Sequence, residues 1–118
     1  MAEAKSHLSI SKSDGVTLVD FAERKILEEL SITEIGDELS RLVEGHKGIR
    51  LVVSFKNVEH LSSAALGMLI TLNKKVEQLK GKLKLADISP QIFEVFKITR
   101  LNKLFEIHDT TERALGTF

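Results

Sequence analysis

The run Ile49-Arg50-Leu51-Val52-Val53-Ser54-Phe55 constrains this chain most. It is β-branched and apolar, too short for a helix and largely without polar alternation, so it reads as a strand covered on both faces in a mostly parallel sheet. Shortly after it come Leu61-Ser62-Ser63-Ala64-Ala65-Leu66-Gly67 and a long amphipathic segment. In that segment Ala65, Leu69, Leu72, Val76 and Leu79 step by four, three, four and three, which places them on one helical face. Gly81 is expected to close the helix.

Helical phase separates the two serines, because each residue turns the helix by about 100°. Carried back from Val76, the buried stripe passes near Ser62 and leaves Ser63 on the far side. Ser62 is therefore expected to cap the helix through its hydroxyl, and Ser63 to point outward. Gly67 falls one turn after Ser63, flanked by Leu66 and Ile70. These residues predict a bare backbone patch bordered by two aliphatic side chains, a surface suited to another protein. The structural alternative is a helix of the same chain over Leu66 and Ile70, with Ser-Ser only a helix start.

The remaining pattern supplies a mixed sheet. Leu8–Ser11 and Val16–Phe21 flank Ser13-Asp14-Gly15 and predict an antiparallel hairpin. A short strand is expected at Ile26 and Leu27, and Ser31-Ile32-Thr33-Glu34 reads as a capping box opening a helix with Ile35, Leu39 and Leu42 inward and Gly45 at its close. Lys82–Asp87 predicts another strand. Ser89-Pro90 starts a helix, with Ile88 and Phe93 spaced as a hydrophobic staple and Ile92, Phe93, Val95 and Phe96 in the core. A last strand is expected at Phe105–Ile107, and Asp109-Thr110-Thr111-Glu112 predicts a capped terminal helix toward Leu115.

At 118 residues the chain reads as a single domain, 1–118, with one core. It holds no cysteine, which excludes disulfides and thiolate chemistry and fits a reducing cytoplasm. Seventeen basic residues balance seventeen acidic ones, a composition without an overall footprint for nucleic acid or anionic lipid. The longest uncharged run, Leu61–Asn73, falls short of the ~20 residues that span a bilayer, and Met1–His7 lacks a signal-peptide core. A soluble, cytoplasmic protein with no membrane partner is the expectation.

Enzymatic patterns are missing. His7, His46, His60 and His108 are scattered and form no metal-ligand pair at helical spacing. His60 near Ser62 lacks the Gly-x-Ser-x-Gly elbow of a serine hydrolase, and no glycine-rich phosphate loop is present. A receiver domain would need an acceptor aspartate after the central strand, where this chain has Asn57, Glu59 and the serines. The chain is read as a non-enzyme without metal or cofactor, His60 lying at a partner-facing edge. Glu23, Arg24, Glu28 and Glu29 are read either as solvated charges or as an extension of that face.

The strand, the Ser62-Ser63-Ala64-Ala65-Leu66-Gly67 turn, the long helix, Gly81-Lys82-Leu83-Lys84-Leu85, Ile88-Ser89-Pro90, the helix from Gln91 and Thr99-Arg100-Leu101-Asn102-Lys103-Leu104-Phe105 together resemble the STAS domain. More narrowly they are similar to the bacterial anti-sigma factor antagonists. The resemblance implies an α/β STAS fold, a mixed β-sheet with an N-terminal hairpin and about four helices packed against it.

In that family the turn usually reads Asp-Ser-Ser-Gly or Asp-Ser-Thr-Gly before Leu-Gly, and the first hydroxyl after the aspartate is phosphorylated. Alignment on Leu66-Gly67 puts Ser63 at the acceptor position, with Ser62 as the alternative acceptor. Ser62 stands where the aspartate is usual and Ala65 where the glycine is. The resemblance implies a partner switch: the unphosphorylated domain binds an anti-sigma factor serine kinase with an ATP-binding, histidine-kinase-like fold. Phosphorylation releases the domain, and a serine phosphatase resets it. The expected partner surface comprises Ser62, Ser63, Leu66, Gly67, Ile70 and His60. The competing expectation is an unphosphorylated STAS scaffold within a signalling complex.

Overall fold

The computed structural model describes residues 8–22, 25, 26 and 29–118, with side-chain surroundings for 8–22 and from 31 onward. Strands β1 (Leu8–Ser13) and β2 (Val16–Phe21) form the expected hairpin, their pairing running from Leu8↔Phe21 to Ser13↔Val16. Its turn holds Asp14 at φ 50° and Gly15 at φ 80°, the two successive left-handed residues that a tight hairpin needs. Next come β3 (Lys25–Ile26) and α1 (Glu29–Val43). Strand β4 (Arg50–Ser54) and the two-residue β5 (His60–Leu61) lead into α2 (Ser63–Gln78), followed by β6 (Lys82–Ala86) and α3 (Pro90–Ile98). A 3-10 turn at Leu101–Lys103, β7 (Glu106–His108) and α4 (Thr111–Gly116) complete the chain.

Five strands make one mixed sheet in the order β1-β2-β4-β6-β7, antiparallel only between β1 and β2. A separate parallel pair, β3 with β5, joins Lys25 to His60 and Ile26 to Leu61. Strand alternation then divides the core. Val19, Phe21, Leu51, Val53, Leu83 and Leu85 face one side and pack with α1, α2 and α3. Val16, Val52 and Ala86 face the other, where Ala114 of α4 covers them. The main core is threaded by Phe21, Phe55, Phe96 and Phe105, with successive ring centroids 5.2, 6.3 and 6.0 Å apart in tilted or edge-on contact. Each such pair adds about 0.5–1.5 kcal/mol beyond area burial.

Several expectations shift in detail. Helix α1 begins at Glu29, two residues before the expected cap, so Ser31 lies inside it; Ile35 and Leu39 are buried as expected and Leu42 is half-buried. The short strand sits at Lys25–Ile26, and Leu27 lies outside the described residues. Glu23, Arg24, Glu28 and the Glu29 side chain also lie outside them. Helix α3 keeps its Ser89 cap, whose Oγ accepts from the Ile92 N–H at 3.3 Å, and its first-turn proline. Phe93 and Val95 are half-buried beside the buried Ile92 and Phe96.

Gly81 is required for a different reason from the expected one. The left-handed residue after α2 is Lys80 (φ 59°), and the helix closes with the Lys80 N–H donating to Glu77 O and the Gly81 N–H to Val76 O. A Cβ at Gly81 would lie 2.5 Å from Ile49 O, so the glycine lets α2 turn tightly under the start of β4.

Candidate functional site

The central strand β4 ends at Ser54, and the chain crosses Phe55–Glu59 before β5 pairs with β3 and aims it into α2. Ser62 is extended (φ −87°, ψ 166°), and its Oγ accepts from the Ala65 N–H at 3.2 Å. Its carbonyl accepts from the Leu66 N–H at 3.2 Å. Ser62 is thus the cap, and its hydroxyl is engaged. Ser63 is the first helical residue and is exposed, with no side-chain hydrogen bond among the described residues. Among the described residues the Ser63 and Ala64 amides, unlike those of Ala65 and Leu66, have no partner, and they stand at the positive end of the helix dipole. No acidic residue lies in this first turn.

Gly67 is exposed, and the space beyond it is open. It lines a groove of about 330 Å³ between α1 and α2, with Ala64, Met68 and Thr71 on one wall and Thr33, Gly36 and Asp37 on the other. A Cβ at Gly36 would lie 3.2 Å from Met68 Cγ, so a side chain there would press on the methionine that lines the groove. The α1 wall was not anticipated from the sequence. Its available signal was Gly36, a glycine that weakens an isolated helix and therefore points to a packing role.

Leu66 does not border the exposed patch. It is 5% exposed and belongs to the main core, while Ile70 is half-buried against that core. Helix α2 sinks deeply enough to bury a second row, Leu66 and Asn73, beside the Ala65-Leu69-Leu72-Val76 stripe. The accessible strip from Ser63 therefore continues through Ala64, Gly67 and Thr71. Thr71 is turned back onto the helix, its Oγ1 donating to Gly67 O at 3.1 Å. His60 is exposed on β5 and, with Glu59 and Leu61, faces Gln91, Ile92 and Val95 across a depression of about 280 Å³.

A polar cluster lies at the carboxyl ends of β4 and β6. Ser54 Oγ donates to Asp87 Oδ2 at 2.7 Å, Thr111 Oγ1 donates to the same oxygen at 2.5 Å, and the Thr111 N–H donates to Oδ1 at 3.2 Å. These bonds consume Asp87 in fastening α4. On the α4 face, buried Lys84 donates to Thr117 Oγ1, pairs with Glu106 at 3.0 Å and lies 4.2 Å from the Phe118 ring centroid. Among the described residues no group of three or more His, Cys, Asp or Glu side chains is placed to hold a metal, and no helix is long and apolar enough to cross a membrane.

The STAS domain family model matches residues 10–114. BtrV of Bordetella bronchiseptica, named as a candidate anti-sigma factor antagonist, is 27% identical over 112 residues covering 94% of this chain and 93% of its own. An anti-sigma-factor antagonist (STAS) domain protein from Planctomyces limnophilus superposes with a TM-score of 0.85 at 20% identity, covering 97% of this chain and 98% of the other. The Bacillus cell fate determinant SpoIIAA in its phosphorylated form superposes at 0.67 with 15% identity, covering 93% and 97%. The family match runs from within the hairpin through the serine turn into the fastened terminal helix: the chain belongs to the STAS domain family, among relatives that carry the name anti-sigma factor antagonist.

Proposed function

We propose that this domain is an anti-sigma factor antagonist that works as a partner switch, with Ser63 as the phosphoacceptor. The observation that carries the reading is the division of labour at the start of α2: the Ser62 hydroxyl is spent on the cap and the Ser63 hydroxyl is exposed beside an open groove. Relatives named as anti-sigma factor antagonists support the class of partner, and SpoIIAA, of the same fold, occurs in a phosphorylated form. In this reading the domain binds an anti-sigma factor serine kinase: the Ser63 Oγ–phosphorus bond forms as the bond from the γ-phosphorus to the ADP oxygen breaks, ADP leaves, and the hydroxyl proton passes to a base of the kinase. A serine phosphatase later removes the phosphate by hydrolysis. The domain itself acts by binding, without catalysis.

Phosphoserine adds about 1.5–2 negative charges and three acceptor oxygens. At the start of α2 the free amides and the dipole accommodate them, so the domain stays folded. The partner feels the change, because a dianion must be desolvated within an interface formed around a neutral hydroxyl.

With the cognate anti-sigma factor in calorimetric titration, Ser63→Ala retains wild-type affinity and resists modification. Ser63→Asp weakens binding by about ten-fold or more, roughly 1.4 kcal/mol. Equal binding by both variants overturns the switch. Ser62 in place of the usual aspartate favours a second reading, an unphosphorylated STAS scaffold, because it removes a charge beside the acceptor. Phosphopeptide mapping of protein from its native cells, with and without serine phosphatase, separates the two.

A further inference from the structure

The whole-chain charge balance conceals an uneven distribution. The parallel strands β2, β4, β6 and β7 all begin at one end of the molecule, and α1, α2 and α3 all finish there; Ser63, at the start of α2, lies at the opposite end. The strand-start end carries Lys47, Arg50, Lys80 and Lys82, all exposed. Their loops are locked together: the Gly48 N–H donates to Leu79 O at 2.7 Å and the Lys82 N–H to Ile49 O at 2.8 Å. Arg50 and Lys82 are direct register partners on neighbouring strands. Like charges placed opposite each other work against folding. None of these four cations has a carboxylate at ion-pair distance among the described residues. The acidic side chains at this end are Asp14, Glu44, Glu77 and Glu106, of which Glu44 is held by Lys75 at 2.8 Å and Glu106 by Lys84 at 3.0 Å.

The same end continues past α3, where Lys97, Arg100 and Lys103 are exposed; Lys97 pairs with Glu94 at 3.5 Å, and no acidic residue occurs from 95 to 105. Ile98, 78% exposed, and Leu104, 46% exposed, stand among them. Helix dipoles explain cations in last turns, such as Lys75 and Lys97. They do not explain two facing cations at strand starts or two bare aliphatic side chains. Single-stranded nucleic acid is a poor fit, because the chain's six phenylalanines are all buried or half-buried and leave no stacking platform, and two exposed aliphatic side chains have no use on a duplex backbone. Cations beside exposed hydrocarbon match a surface with phosphate above and acyl chain below.

We propose that this end of the domain is a docking surface for an anionic phospholipid bilayer, with Arg50, Lys82 and Arg100 on the headgroups and Ile98 and Leu104 at the acyl boundary. Docked in this way, the domain presents Ser63 to the solution. The surface is independent of whether Ser63 is phosphorylated.

The full chain is sedimented with vesicles of phosphatidylcholine, pure or with about one-third phosphatidylglycerol, at low and high salt. Binding is expected only to the anionic vesicles, and it is lost at high salt. Arg50→Gln with Lys82→Gln lowers the partition about 25-fold, taking about five-fold per cation removed. Ile98→Asp lowers it independently, and circular dichroism confirms that both variants are folded. Because the chain has no cysteine, Ser63→Cys and Arg100→Cys each supply a lone thiol. On anionic vesicles a maleimide reagent should label the first at its free rate and the second more slowly. No partition, equal binding to neutral vesicles, insensitivity to the charge variant, equally tight binding to short duplex DNA at the same salt, or protection of the Ser63→Cys thiol overturns the proposal.

Discussion

Ser62 and Ser63 differ by one step of helix, and that step decides which hydroxyl is spent. At Ser62 the extended backbone lets Oγ reach the Ala65 N–H; one residue later the chain is helical, and the Ser63 side chain leaves the axis toward solvent. Ser62→Ala is therefore expected to lower unfolding stability by about 1 kcal/mol, and Ser63→Ala by less than about 0.5 kcal/mol. Urea unfolding of the two variants measures both. Equal losses would show that both hydroxyls serve the fold and leave none for a partner. This much of the site was legible because phase runs continuously along one helix. Leu66 was not, because the depth to which a helix sinks depends on what lies on either side of it, and a single stripe records only its midline.

At the scale of an element, β6 shows how a strand conceals its second face. Lys82-Leu83-Lys84-Leu85 alternates, and alternation suggests a face turned to water. Lys84 is instead 4% exposed, because the last turn of α4 and Phe118 close over it. The contact that buries it comes from residues more than thirty positions away, beyond the reach of local pattern. Glu106 answers this lysine and lies 2.6 Å from His108 Nε2. The hydrogen bond from His108, together with Lys84, holds its carboxyl below the usual glutamate range. A depressed folded-state pKa stabilises the fold above the ordinary value of about 4.3, and this stability is lost as pH falls through the depressed value. Glu106→Gln should cost about 1 kcal/mol at neutral pH, a modest figure because the side chain is half exposed, and the cost should shrink toward zero in strong acid. Urea midpoints at neutral and acid pH check this; a difference that does not change with pH would place the loss in packing rather than charge.

For the whole molecule the two faces of the sheet are unequal, and stability is expected to be unequal with them. The succession of strands and helices was readable because each parallel strand demands a crossover and the helices carried signals of periodicity or capping, although the cap expected at Ser31 proved to lie inside α1. The division into a large core and a small one was not readable, since α4 has six residues and its fastening depends on groups brought from β4 and β6. On the larger side α1, α2 and α3 enclose a continuous aliphatic core and a chain of four phenylalanines. On the smaller side α4 rests on Val16, Val52 and Ala86 and is held by Asp87 and Lys84. Few apolar contacts and a polar latch make α4 the element most ready to open locally. Asp87→Gly removes the latch while leaving a residue at ease at φ 59°, so the backbone itself is not strained. In this variant the amides of α4 should exchange with deuterium about ten-fold faster or more, equivalent to about 1.4 kcal/mol, while those of Leu69–Val76 in α2 keep their original rates. Equal acceleration in both helices would mean that the two faces unfold as one unit and that α4 is no separate latch.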